Sequence, residues 1–193
     1  MYRYGKYYDD VAKLVGDIYI DYDIKSFPID VKTVCCKLGI ILVPYSEFNS
    51  EEKTLLIKKS KSGFYVPPTA TSSPMIFYND NIFVAGSRGN IRRNILHEVF
   101  HYVNGDTDEI PDNDDLADYF GKYFLAPISY LIAMGIDNPN EIIGKFEVDS
   151  SMAGFIAKNI NNRKNKYKSK IFDYEKPLLQ HILGDLYFLY VDE

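Results

Sequence analysis

The spacing of apolar positions divides the chain into a mixed first half and a helical second half. Val11, Leu14, Val15 and Ile18 recur at three- and four-residue intervals, which predicts an amphipathic helix over residues 6–20. Pro28-Ile29-Asp30 opens a second helix. Asp30 is placed to cap it, Val31, Val34, Cys35 and Leu38 form its apolar face, and Gly39 stops it. Ile40 to Val43, closed by Pro44, predicts a strand. Residues 46–62 are polar, with Leu55-Leu56-Ile57 as a candidate strand and Lys58, Lys59 and Lys61 as solvated edge positions. Phe64 to Val66 predicts another strand, and residues 67–74 a loop. Met75–Tyr78 and Ile82–Ala85 flank Asn79-Asp80-Asn81 in the pattern of a hairpin.

From Asn90 onward the period is helical. Asn90 is the expected N-cap and Asn104-Gly105 the expected stop of a helix of about thirteen residues. Further helices are expected at 113–125, 128–134, 139–146 and 150–163. The basic stretch at 163–170 reads as a linker or an exposed helix end, and Lys176 to Tyr190 as a closing helix or mixed segment. No fixed-period repeat occurs. The expectation is an α+β fold: a small sheet packed on a central helix, then a mostly helical C-terminal half. Residues 1–165 would form the main domain, with 166–193 a C-terminal extension packing on it.

Composition sharpens this picture at few points. A chain of 193 residues with 46% hydrophobic and 15% aromatic residues is long and apolar enough to fold without staples. Its net charge of −5 argues against general binding to a phosphate backbone, so no direct nucleic-acid contact is expected. No apolar run reaches membrane-spanning length, and the N-terminus has no signal-peptide character. Cys35 and Cys36 are adjacent, an arrangement suited to reduced helix residues in a cytoplasmic protein.

The chemistry concentrates in one place. Only three histidines occur, and two stand in His97-Glu98-Val99-Phe100-His101. Residues four apart share a helix face, so both imidazoles can reach one zinc ion. Glu98 sits one step round the helix, where it can serve the attacking water without ligating. A catalytic zinc needs a third protein ligand, and no third histidine follows at the required spacing. A carboxylate from a second helix is the remaining common solution. Asp114, Asp118, Gly121 and Leu125 fall on one face of the next helix, and Gly121 permits close helix approach. Spacing alone leaves open which acid of this helix serves. Asp106, Asp108, Glu109 and Asp112 crowd the connecting loop without the spacing of a calcium loop. They are expected to be mostly solvated, and near a cleft mouth they would favour a basic substrate segment. His181, among apolar residues, reads as structural.

At these residues the chain resembles the ImmA/IrrE family of zinc-dependent peptidases. That family pairs HExxH with a second helix of the form E-x-x-A-N-x-F-A-x-x-L-L-x-P. Here the second motif reads Asp114-x-x-Ala117-Asp118-x-Phe120-Gly121-x-x-Phe124-Leu125-x-Pro127. The likeness extends to Phe27-Pro28-Ile29-Asp30, Ile76-Phe77-Tyr78-Asn79 and Phe146-Glu147-Val148, covering about residues 10–165. It implies a zincin-like metallopeptidase fold, with zinc on His97, His101 and Asp114. The family's glutamate ligand falls on Asp114, shorter by one methylene, so the resemblance makes Asp114 the first choice and leaves Asp115 and Asp118 as alternatives. Asp118 occupies the Asn/Asp slot, where a bond to a ligating histidine is the implied role.

The resemblance further implies a regulatory endopeptidase that cleaves a helix-turn-helix repressor of a phage or mobile element. Glu98 would act as general base, and Tyr78 or Tyr102 as an oxyanion donor. An extended peptide would add to a sheet edge near Met75–Tyr78. The rival readings are an impaired peptidase-like protein that binds and sequesters the repressor, and a metal-dependent hydrolase of a small substrate.

Overall fold

The computed structural model describes residues 8–106 and 113–191. The chain divides into two compact units: Asp30–Gly121, and the described parts of Tyr4–Ile29 together with Lys122–Glu193. The fold is α+β, mostly helical with a single three-stranded sheet among the described residues.

Helix α1 (Tyr8–Asp21) belongs to the second unit and buries Val11, Leu14, Val15 and Ile18, the stripe read from the sequence. The first unit opens with α2 (Val31–Lys37). Asp30 caps it by accepting from the Lys32 and Thr33 backbone N–H groups, and Gly39 follows at φ 73°, a conformation glycine adopts freely. Strand β1 (Ile41–Pro44) comes next.

Leu55-Leu56-Ile57 is helical, not a strand: α3 spans Ser50–Lys59. Asn49 and Glu52 form a reciprocal capping box that starts the helix, and Leu55 and Ile57 remain exposed. The cap outweighs the short apolar run.

Strands β2 (Gly63–Val66) and β3 (Met75–Tyr78) complete the sheet, whose order is β1-β3-β2. β3 pairs parallel to β1 and antiparallel to β2. Two sequence expectations fall here. Ile82–Ala85 is the short helix α4, started by Asn81 accepting from the Phe83 N–H, so no hairpin forms with β3. β3 is central and paired on both sides, so a peptide has no edge to join at Met75–Tyr78.

Helix α5 (Arg88–Asn104) is longer than expected. Ser87 caps it by accepting from the Asn90 N–H, while Asn90 donates through its amide to the Ala85 carbonyl. It packs on β2, β3 and α2, burying Ile95, Leu96, Val99, Phe100 and Val103. Its end is as read: Gly105 is left-handed at φ 71°. α6 (Asp114–Leu125) is the second motif helix.

In the second unit, α7 (Ile128–Ala133), α8 (Pro139–Phe146) and α9 (Ser150–Tyr167) follow, and α7 and α8 both pack on α9. The basic stretch is mostly helix, since α9 continues to Tyr167 before Lys168 turns left-handed. α10 (Lys176–Leu183) packs on α1, and α11 (Tyr187–Val191) ends the described chain. Phe27, Tyr130 and Phe146 form an aromatic cluster in this unit, with ring centroids 4.7–6.2 Å apart.

Candidate metal centre

The site lies within the Asp30–Gly121 unit and is built from α5 and the first two turns of α6. One helical turn separates His97 from His101, and their ring centroids stand 5.0 Å apart. Both are half-buried, because the flanking Leu96, Val99 and Phe100 anchor α5 in the core.

α6 can meet this face only at a residue without a side chain. A Cβ on Gly121 would lie 2.9 Å from the Arg93 carbonyl oxygen, 3.2 Å from the Arg93 Cγ and 3.6 Å from the His97 nitrogen. That close crossing lets the short side chain of Asp114 reach the histidines. Asp114 Oδ1 stands 3.3 Å from His97 Nε2 and 3.6 Å from His101 Nε2.

These three ligand atoms all lie within 4.8 Å of one another, and no other such group occurs among the described residues. Tetrahedral bonds of about 2.0–2.1 Å put neighbouring ligand atoms roughly 3.3–3.4 Å apart, so both measured spacings suit a zinc ion. The donor set, two imidazoles and a carboxylate, leaves a fourth position open. Asp115 is exposed and outside the group; Asp118 is turned to another task.

Each imidazole is held from behind. His97 Nδ1–H donates to Asp118 Oδ1 at 3.3 Å, and Arg93 Nη1 stands 3.8 Å from the same oxygen. His101 Nδ1–H donates to Asp106 Oδ2 at 2.9 Å. A carboxylate only accepts, so each contact fixes the proton on Nδ1 and frees Nε2 for a metal. Asp106 is thus no solvated loop acid: its side chain is 11% exposed and committed to His101. Asp108, Glu109 and Asp112 lie outside the described residues.

Glu98 is only 8% exposed and points toward the sheet side of α5, where its carboxylate accepts from the Tyr65 backbone N–H. Burial raises its pKa above the ordinary carboxylate value, against the opposing pull of His97 and His101. A carboxyl moved toward neutrality is better matched to proton transfer at working pH. For His97, burial alone would lower the pKa. The hydrogen bond to Asp118 and the charges of Glu98, Asp118 and Asp114 outweigh it, and the net shift is upward.

The two tyrosines are not brought to the histidines. Tyr78 lines a separate cleft with Lys32, Cys36 and Glu47, and its raised pKa follows from burial and then from Asp80 and Glu47. The Tyr102 hydroxyl donates to the Leu38 carbonyl over a long 3.5 Å, and its ring packs against Tyr65. A cleft of about 330 Å³ opens beside His97, Glu98 and Asp118, with Arg93, Asn94 and Val84 among its walls. His181 sits in the other unit, 3.6 Å from Asp23, with its pKa lowered by burial and by Lys25. Cys35 and Cys36 are both free thiols, and burial pushes the Cys35 thiol up to about 12. No helix among the described residues is long and apolar enough to cross a membrane.

Sequence reasoning missed Asp106 as a partner of His101. The signal was present: an acid one residue beyond a helix-ending Asn-Gly is carried back over the last turn.

The fold and site define an α+β protein with a metal-competent histidine–carboxylate centre. Comparison with protein-family models, curated proteins and solved structures returns no match.

Proposed function

We propose that the chain is a cytoplasmic zinc-dependent endopeptidase of ImmA/IrrE type with a zincin-like fold. The observation that carries this reading is the convergence of His97 Nε2, His101 Nε2 and Asp114 Oδ1, with Glu98 beside them. His97, His101 and Asp114 would hold the ion. Zinc bound there would supply Lewis acidity, polarising the scissile carbonyl and acidifying water.

The chain's own residues do the rest. Glu98 takes the proton of the attacking water and returns it to the leaving amine. Asp118 keeps the His97 imidazole in the ligating tautomer. The adjoining cleft is large enough to seat a substrate side chain beside the scissile bond. By the resemblance, the substrate is a helix-turn-helix repressor of a phage or mobile element. The reach of Asp114 to both Nε2 atoms supports an active site over the impaired, sequestering alternative.

The test is cleavage of a helix-turn-helix repressor by the zinc-loaded protein. Glu98→Gln should reduce cleavage by about 10²–10⁴-fold while keeping zinc bound. Undiminished cleavage by that variant would refute the assignment of the general base. Binding of the repressor without any cleavage by the zinc-loaded wild type would point to sequestration instead.

A further inference from the structure

The two histidines differ in how they are supported. Asp118 comes from a second helix, is half-exposed, and reaches His97 over 3.3 Å. Asp106 belongs to the same chain turn as the histidine it holds. Gly105 turns left-handed at the end of α5, and the Asp106 N–H then donates back to the His101 carbonyl at 2.9 Å. The Asp106 side chain is thereby aimed inward. Its Oδ2 accepts from His101 Nδ1–H at 2.9 Å, and its Oδ1 accepts from the Asn104 amide at 2.6 Å.

Three restraints therefore fix this carboxylate: a backbone bond, an amide bond and burial. We infer that Asp106, braced by Asn104, is a positioning residue. It sets the tautomer and orientation of His101 and thereby the zinc affinity of the site. The inference rests on the metal reading above, and adds to it a residue that touches neither metal nor substrate.

The chemistry favours this over a helix-end contact that merely stabilises the fold. Asp114 is 63% exposed, so water competes for it and it anchors an ion weakly by itself. Tight binding then depends on imidazoles held at the correct angle and made electron-rich. A buried carboxylate on Nδ1–H does both, because it draws the proton and raises donor strength at Nε2. Asn104 matters because it neutralises the second lone-pair side of Asp106 without taking its charge. A carboxylate so held cannot swing away when the ion arrives.

The test is zinc affinity, read by competition with a chromophoric chelator, for the wild type, Asp106→Asn, Asp106→Ala and Asn104→Ala. A parallel melt of each metal-free protein monitors the fold. Asp106→Asn keeps an acceptor at the same place and removes the charge, and should weaken zinc binding about 10-fold. Asp106→Ala removes both and should approach a 100-fold loss, the upper end of the usual range of about 10–100-fold. Asn104→Ala should fall between the wild type and Asp106→Asn. Asp115→Asn removes a nearby exposed charge and should leave affinity unchanged.

The cobalt-loaded protein supplies a second readout. Its visible spectrum should shift in Asp106→Asn and return toward the wild type in Asp106→Glu. Unchanged zinc affinity and cobalt spectrum across the Asp106 variants, with only the metal-free melt lowered, would overturn the inference and make Asp106 a structural cap. A wild type that fails to bind zinc at all would overturn the metal reading and this inference together. Wild-type binding that is lost with His101→Ala but indifferent to Asp106 would overturn this inference alone.

Discussion

Two polar clusters in this molecule each contain a carboxylate and end in opposite states. In the Lys122–Glu193 unit, Glu175 is 2% exposed and every direction around it is answered. Its Oε1 accepts from Arg163 at 2.7 Å and from the Tyr123 hydroxyl at 3.2 Å. Its Oε2 accepts from Arg163 and from the Phe172 N–H, and the Phe172 ring stacks under the guanidinium. In the Asp30–Gly121 unit, His97 and His101 are held from behind, and one ligand atom of each converges with one of Asp114, all within 4.8 Å of one another. The first cluster is a closed network that orders the fold. The second brings two imidazoles and a carboxylate together in a group that could hold a metal ion. Burial and hydrogen bonding are common to both clusters; what sets the second apart is the convergence of two imidazole nitrogens and a carboxylate oxygen.

Several substitutions would break or sharpen this contrast. The largest stability effect belongs to the closed cluster. Arg163→Ala leaves a buried carboxylate without its cation and should cost about 3–5 kcal/mol in chemical denaturation. Zinc stoichiometry of the folded fraction should stay at the wild-type value. A mild effect would show that Glu175 finds other support.

Next comes the crossing that assembles the histidine–carboxylate cluster. Gly121→Ala forces a methyl toward the Arg93 carbonyl and should destabilise by about 1–3 kcal/mol. Unlike the Arg163 variant, it should also weaken zinc binding, because α6 must retreat and carry Asp114 with it. Full zinc affinity in that variant would mean Asp114 is not the ligand.

The smallest effect is graded with pH. Zinc binds the neutral imidazole, and His97 in the metal-free protein holds its proton above the ordinary 6.5. Apparent affinity should therefore be flat at high pH and begin to fall before pH has dropped to 6.5. Below that point each pH unit costs about tenfold, or about 1.4 kcal/mol, per proton displaced. Asp118→Asn removes the hydrogen-bonding charge and should move the onset to lower pH. An onset at or below 6.5 in the wild type would contradict the described support of His97.

What the sequence disclosed follows the range of the interactions. The His97–His101 pair was legible because helical periodicity fixes it locally. The Asp30 cap and the Gly39 and Gly105 stops were legible for the same reason. Asp114 and Gly121 were reached by a shared helix face and a motif resemblance, and their proximity to α5 is what the structure adds. Strand order was not legible: β3 follows β2 in sequence but lies between β1 and β2, a matter of long-range pairing. α3 was misread because three apolar residues stood out over the Asn49–Glu52 cap just before them. Asp106 was misread because acids in a loop are usually solvated, and its side chain was not set against the turn that Gly105 imposes.

Elemental mass spectrometry of the purified protein and its variants asks whether His97, His101 and Asp114 bind one zinc ion. We expect about one zinc per wild-type chain, little or none in His101→Ala or Asp114→Ala, and retention in Asp115→Ala. A wild type that stays empty after zinc is supplied, or a His101→Ala protein that keeps its full zinc, would contradict this expectation.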